Sequence, residues 1–273
     1  MNCCHEPLIC ITPRVSCLTF GGSDGQGAYL RSGVDVIFYQ PVQSERFFSA
    51  GVKYDAINWN DFKQVVAAFK TRIEDWYIRP AGELRKASWD YSFALMAINC
   101  LLIDALSQFH YGKVTGTRGI FKKYVRKKLP AFRATLPQKI QERPTRRKHR
   151  KSAATKPKLK PQKPEYFEDF ADVLYHCFRC GILHEAHIAG CGGLAGLNGK
   201  MVDVDPDVCT RYRDGSDCPT VRMDPTAIFD EVRKLFDQYL NDLVDPNPKL
   251  DPRRRKFKRK FTDCIGVNIK NSV

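Results

Sequence analysis

The chain is poor in the features that would place it in a membrane or outside the cell. No stretch offers roughly 18 apolar residues free of charged or polar interruption, the length a helical span needs. The leading segment MNCCHEPLICITPRVSCLTF has no basic residue ahead of its apolar ones and is broken by Pro7 and Pro13, so it makes a poor signal peptide. The cysteines, 11 in all, are an odd number without the spacing of a small disulfide framework. These absences predict a cytoplasmic protein in a reducing compartment, with no membrane partner. Acidic residues are scarce in one region above all. Residues 113–163 hold 19 Lys or Arg against a single acid, Glu142, which gives that stretch +18 and leaves the rest of a +15 chain at −3. A block of one sign reads as a solvated arm facing a polyanion.

With 273 residues and 43% hydrophobic content, the chain can hold one sizeable core with appendages. Residues 1–56 read as an N-terminal extension that is partly disordered. Its strand-like stretch Val34–Val42 is confined to a sheet edge by Pro41. A first helix is predicted from about Asn60 to Ile78, capped by Asn60 or Asp61 and ended by Pro80 and Gly82. A second runs from about Ser88 to Phe109 and is apolar nearly all round, as in the centre of a bundle. Residues 112–164 form a basic insertion of low complexity that buries too little to order itself, apart from a short basic helix in FKKYVRKKL. Lys122, Lys123, Arg126, Lys127, Lys128, Arg146, Arg147, Lys148, Arg150 and Lys151 are its candidate nucleic-acid contacts, because cations that neutralise phosphates release counterions. Phe121, Tyr124 and Phe132 either stack on bases or pack locally. Two strand-like runs, Met201–Val204 and Thr220–Met223, predict a β-hairpin. GCGGLAGLNGK lacks the Gly-Lys-Ser/Thr ending of a phosphate loop and reads as a plain loop. Asp224-Pro225 opens a last amphipathic helix, and residues 246–273 read as a basic tail.

Everything else is arranged around Glu165–Gly190, EYFEDFADVLYHCFRCGILHEAHIAG. Phe167, Phe170, Leu174, Cys177, Gly181, His184 and Ile188 recur at steps of three and four, the spacing of one helix face. The helix carries Arg179 and His184 in the pattern Arg-x4-His. On a regular α-helix five steps turn the chain by roughly 140°, so the arginine must wrap back to reach the imidazole. A permanently charged fork beside a titratable ring is a candidate pair for handling a phosphodiester. The spacing alone is common, since Arg143 and His149 repeat a similar step in the basic stretch. Context supplies the rest: an apolar helix face, a glycine-rich exit and a second amphipathic helix downstream.

In that context FRCGILHEA resembles the signature helix of the HEPN superfamily, all-helical domains many of which are metal-independent ribonucleases. The resemblance covers residues 57–110 and 165–245. It implies a mainly α, HEPN-like bundle and a homodimer whose signature helices meet in one cleft. It also implies an RNA substrate, no cofactor, a toxin or defence setting and an antitoxin partner. By that analogy His184 is the general acid/base and Arg179 holds the scissile phosphate. Asp90, Asn99 and Asp104 are the polar exceptions on the apolar second helix, and one of them is expected to orient the pair. The chain departs from the superfamily in having Cys180 after the arginine and Ala186 two residues after the histidine. The alternative function is a non-catalytic nucleic-acid-binding or dimerisation protein using the basic arm.

Zinc is the rival chemistry. Cys177, Cys180, His184, His187 and Cys191 have the composition of a ligand set, with Cys209 and Cys218 as further donors. If the segment is one straight helix, Cys177 and Cys191 stand about 21 Å apart along it, too far for one ion. Cys3, Cys4, His5 and Cys10 match no standard spacing. No metal is assigned.

Overall fold

The computed structural model describes residues 47–141, 166–211, 217–266 and 269. Most of the N-terminal extension, with the strand-like Val34–Val42, and the cations Arg146, Arg147, Lys148, Arg150 and Lys151 lie outside them. A short hairpin, β1 (Phe47–Ser49) and β2 (Val52–Lys53), leads in. Its Phe48 is fully buried against Tyr54 and Trp59. Helix α1 (Phe62–Ile73) is capped by Asp61, whose carboxylate accepts from the Lys63 and Gln64 amides. It does not stop before Pro80. A wide π-helical turn, Glu74–Ile78, hands on to α2 (Arg79–Ala87). The turn resets the hydrogen-bond register, so that Pro80 falls in the first turn of a new helical segment, where its missing N–H costs nothing.

Helix α3 (Ser92–Tyr111) is the axis of the molecule and packs against α2, against α4 (Arg118–Lys128), α7 (Pro225–Val244) and α8 (Asp251–Ile265). Trp89–Tyr111 is long and apolar enough to cross a membrane, yet 67% of its most apolar window is buried inside the fold. It is a core helix. Asn99 on α3 is fully buried and donates to the Pro225 carbonyl at 2.8 Å, pinning the start of α7. Asp224 caps α7 through the Thr226 and Ala227 amides, as its sequence predicts, and also accepts from Leu197 N–H at 2.9 Å.

Two stretches that read as solvated are part of this core. Phe121, Tyr124 and Val125 of α4 are buried, followed by Leu129 and by Phe132 of a 3-10 turn. The packed core therefore extends into the range 112–164 as far as Phe132 and Leu136, and the aromatics of that stretch pack rather than present themselves to bases. The supposed C-terminal tail holds α8, whose Phe257 and Phe261 are fully buried. They join Phe69, Phe109 and Phe236, with Phe69 and Phe109 4.7 Å apart and Phe257 and Phe261 5.2 Å apart. Such ring pairs add about 0.5–1.5 kcal/mol each beyond their buried area. In both stretches aromatics spaced three or four apart face inward while most of the cations between them lie toward the outside, Lys260 excepted.

The remaining elements frame the segment that bears Arg179 and His184. Strand β3 (Thr135–Gln141) pairs antiparallel with β4 (Tyr166–Asp169). The helix that follows is shorter than the spacing predicts: α5 (Phe170–Val173), a second π-helical stretch Leu174–Cys180, then α6 (Gly181–Glu185). The hairpin forms as β6 (Val202–Arg211) and β7 (Asp217–Met223), with Val204 opposite Val221. The glycine-rich stretch is not wholly a loop. Gly192–Leu194 forms β5, which adds to β7 in parallel and gives the order β5-β7-β6.

Candidate functional site

The site begins with how the helical segment bearing Arg179 and His184 starts and stops. Asp169 caps α5 through the Asp172 amide, and its other oxygen accepts from Arg126 Nε at 2.6 Å. Lys122 pairs with Asp172, which is 4% exposed, and Arg126 Nη2 lies 3.7 Å from the same carboxylate. Burial alone would raise the Asp172 carboxyl. The Lys122 ammonium, the Glu168 N–H and the Arg126 charge outweigh it and hold the group below the usual carboxylate range. Lys122 and Arg126, expected to meet phosphates, are thus engaged in tying α4 to the helix that bears the site. Lys123 stays exposed with its ammonium 5.4 Å from the Tyr111 ring centre, Lys127 is exposed and Lys128 is half-buried.

At its far end the helix stops at Ala186, which adopts left-handed dihedrals (φ 53°). The chain then doubles back along the helix, with His187 N–H donating to Gly181 O and Ala189 N–H to Cys177 O. Glycine is required on both sides of this close approach. A Cβ at Gly181 would stand 2.6 Å from the His187 carbonyl, and one at Gly192 would stand 2.6 Å from the Ile188 side chain. The reversal corrects the straight-helix picture of 165–190. It also brings Cys191 back beside Cys177, where its thiol hydrogen-bonds with those of Cys177 and Cys218, pushed up chiefly by the Cys177 contact. All three are buried. Among the described residues no group of three or more His, Cys, Asp or Glu is placed to hold a metal ion.

The reversal leaves His184 exposed at the helix end, with Arg179 beneath it. Arg179 is 5% exposed, donates from Nη2 to Asp104 Oδ2 at 3.0 Å, and has Nη1 2.9 Å from His184 Nε2. Residues five apart meet because the preceding π-helical stretch bonds i to i+5 and widens the turn, which a regular helix would not allow. A guanidinium can only donate. His184 Nε2 therefore accepts, and its ring proton sits on Nδ1 in this arrangement. Burial works to lower the Arg179 basicity, but the Asp104 charge and hydrogen bond prevail and raise it, keeping the fork charged. Arg179 also lies over the Tyr175 ring at 5.6 Å, and its Nε is buried without a hydrogen-bond partner. The arrangement can present a fixed cation and an accessible imidazole to one anionic group.

Of the three candidate orienting residues, Asp104 is the one the fold brings to Arg179. Asn99 is committed to α7, and Asp90 is exposed and accepts from Ser88 at 2.9 Å. Two residues are missed by sequence reasoning. Gln108 donates to Asp104 Oδ1 at 3.4 Å and accepts from Lys260 Nζ at 2.7 Å, and Lys260 also donates to the Val114 carbonyl at 2.6 Å. A polar chain thus runs through the interior from His184 through Arg179, Asp104 and Gln108 to Lys260 on α8. Gln108 is readable one helical turn after Asp104. Nothing in a run of nine mostly basic residues marks Lys260 as the buried one.

These elements define a mostly helical domain with a buried Asp–Arg pair feeding an exposed histidine. The family model described as Rv1289 matches residues 82–191, a stretch that contains Asp104, Arg179 and His184. Neither a curated protein nor a solved structure matches the chain.

Proposed function

We propose that the chain is a metal-independent endoribonuclease of HEPN type, with Arg179 and His184 as its phosphodiester-handling pair. The observation that carries this reading is the 2.9 Å contact between Arg179 Nη1 and His184 Nε2, with Asp104 anchoring the far side of the guanidinium. When a phosphate enters, the guanidinium turns its Nη1 donor from His184 to a phosphate oxygen and stabilises the charge that grows there. The freed Nε2 lone pair takes the proton of the RNA 2′-hydroxyl. The 2′ oxygen bonds to phosphorus, the bond to the 5′ oxygen breaks, and that oxygen leaves with the proton returned by the His184 imidazolium. The products are a 2′,3′-cyclic phosphate and a 5′-hydroxyl. Asp104 is a positioning residue. In this reading two copies join at the exposed 184–187 corner, each contributing its pair to one cleft. RNA is recruited by residues 142–165 together with Lys123 and Lys127, in a toxin or defence setting with an antitoxin partner.

Digestion of RNA by the purified chain in EDTA tests the proposal. Arg179→Ala or His184→Ala is expected to lower cleavage about 10²- to 10⁴-fold, His184→Ala while leaving RNA binding intact. Asp104→Asn is expected to lower it about a hundredfold through misplacement of the fork. Cleavage that survives both alanine variants would refute the assignment. The low exposure of Arg179 favours a second reading, a non-catalytic nucleic-acid binder. In that case the parent chain cleaves nothing and deletion of residues 142–165 removes RNA binding.

A further inference from the structure

A second concentration of charge lies farther along α3. His110, about 9 Å beyond Asp104 by helical rise, opens onto a cavity of about 170 Å³. Lys127 from the last turn of α4 also lines it. Lys249 enters from the 3-10 turn Pro248–Leu250, and Arg253 and Lys256 from the first two turns of α8. Arg253 is paired with Asp242. Lys127, Lys249 and Lys256 have no carboxylate within ion-pair reach among the described residues. Like charges gathered this closely oppose folding unless an anion joins them.

Three further observations point into the cavity. His110 is 8% exposed and is flanked edge-on by the Tyr111 and Tyr124 rings, yet neither ring nitrogen has a hydrogen-bond partner among the described residues. Burial, aided by Lys128, Arg253, Lys127 and Lys256, pushes it down to about 4. At neutral pH it therefore offers one N–H donor. Leu250, at the N-cap of the 15-residue α8, supplies no side-chain hydrogen bond, and the one acid in the first turn, Asp251, is engaged by Arg254 of the same helix. The volume falls below the about 300 Å³ at which pockets for whole small molecules begin, which suits a single tetrahedral group.

We propose that this cavity binds a phosphate dianion, either free inorganic phosphate or the phosphomonoester group of a nucleoside monophosphate. Lysines supply the charge and His110 the directed donor. The assignment is independent of whether Arg179 and His184 cleave RNA. It is tested by calorimetric titration of the full chain with inorganic phosphate, a nucleoside 5′-monophosphate and the same nucleoside without phosphate. Both phosphorylated probes should bind and the bare nucleoside should not. Tighter binding of the monophosphate assigns the site to a small phosphorylated ligand, and equal binding assigns it to free phosphate. The double variant K249A/K256A, both exposed positions with folding checked by circular dichroism, should weaken binding at least about tenfold. The imidazole resonances of His110 should shift on phosphate addition. Absence of saturable binding at millimolar phosphate, undiminished affinity in the double variant, or equal binding of the bare nucleoside would overturn the proposal.

Discussion

FKKYVRKKL at 121–129 and RRRKFKRKF at 253–261 are both strongly basic, and each lies along an amphipathic helix with buried aromatics. They differ in where their charge goes. On α4, Lys122 and Arg126 reach across to Asp172 and Asp169 and hold the N-terminus of α5. On α8, Arg254 pairs with Asp251 in its own helix, Arg253 pairs with Asp242 of α7, and Lys260 turns inward to Gln108. Lys256 is left at a cavity beside Lys249. One basic helix positions a neighbour, and the other gathers unneutralised charge around a hollow. Basic composition reports neither role.

The comparison can be broken most sharply at its shared element, the buried rings. Phe121→Ala and Phe257→Ala are each expected to cost about 3–5 kcal/mol in denaturant unfolding. A loss near zero in either would return that stretch to the status of a solvated arm. Next comes the charge that distinguishes α4. Asp172→Asn strands a largely buried Lys122 ammonium and is expected to cost about 3 kcal/mol at neutral pH. Because the folded carboxyl is held below its usual range, the parent loses this stability only as pH falls through that depressed range, and the gap between parent and variant should close in acid. A gap that persists unchanged in strong acid would contradict the pairing.

Around the α8 cavity the expected effect is a slope. The unfolded chain protonates His110 as pH drops below about 6.5, whereas the folded chain resists until about 4. Stability from neutral His110 is complete above that window and is lost within it. His110→Gln should therefore flatten the fall of melting temperature between those two values, and an unaltered slope would count against the buried, cation-ringed histidine. The smallest effect sharpens the contrast inside α4 itself. Lys123→Ala, beside the engaged Lys122, should change stability by less than about 0.5 kcal/mol.

Much of the helical frame is legible in the residues. The stripe of α1, the apolar length of α3, the Asp224-Pro225 opening of α7 and the pairing of β6 with β7 follow from local periodicity and capping chemistry. The basic stretches misread because net charge overshadows aromatics three or four residues apart. Gly192–Leu194 misreads as a loop because a strand that short exists only by pairing with β7. Pro80 reads as a stop because a π-helical turn has no sequence mark of its own.

At the candidate site, sequence alone determined the chemistry available: one arginine, one histidine five residues on, and a few polar groups on an otherwise apolar helix. It determined this because side-chain type and local spacing are properties of the chain itself. Tertiary structure decided which of Asp90, Asn99 and Asp104 meets Arg179, that the widened turn brings Arg179 to His184, and that Lys260 ends the polar chain. Those outcomes depend on hydrogen bonds between residues as many as 152 positions apart, and contacts of that range are fixed only when the helices pack.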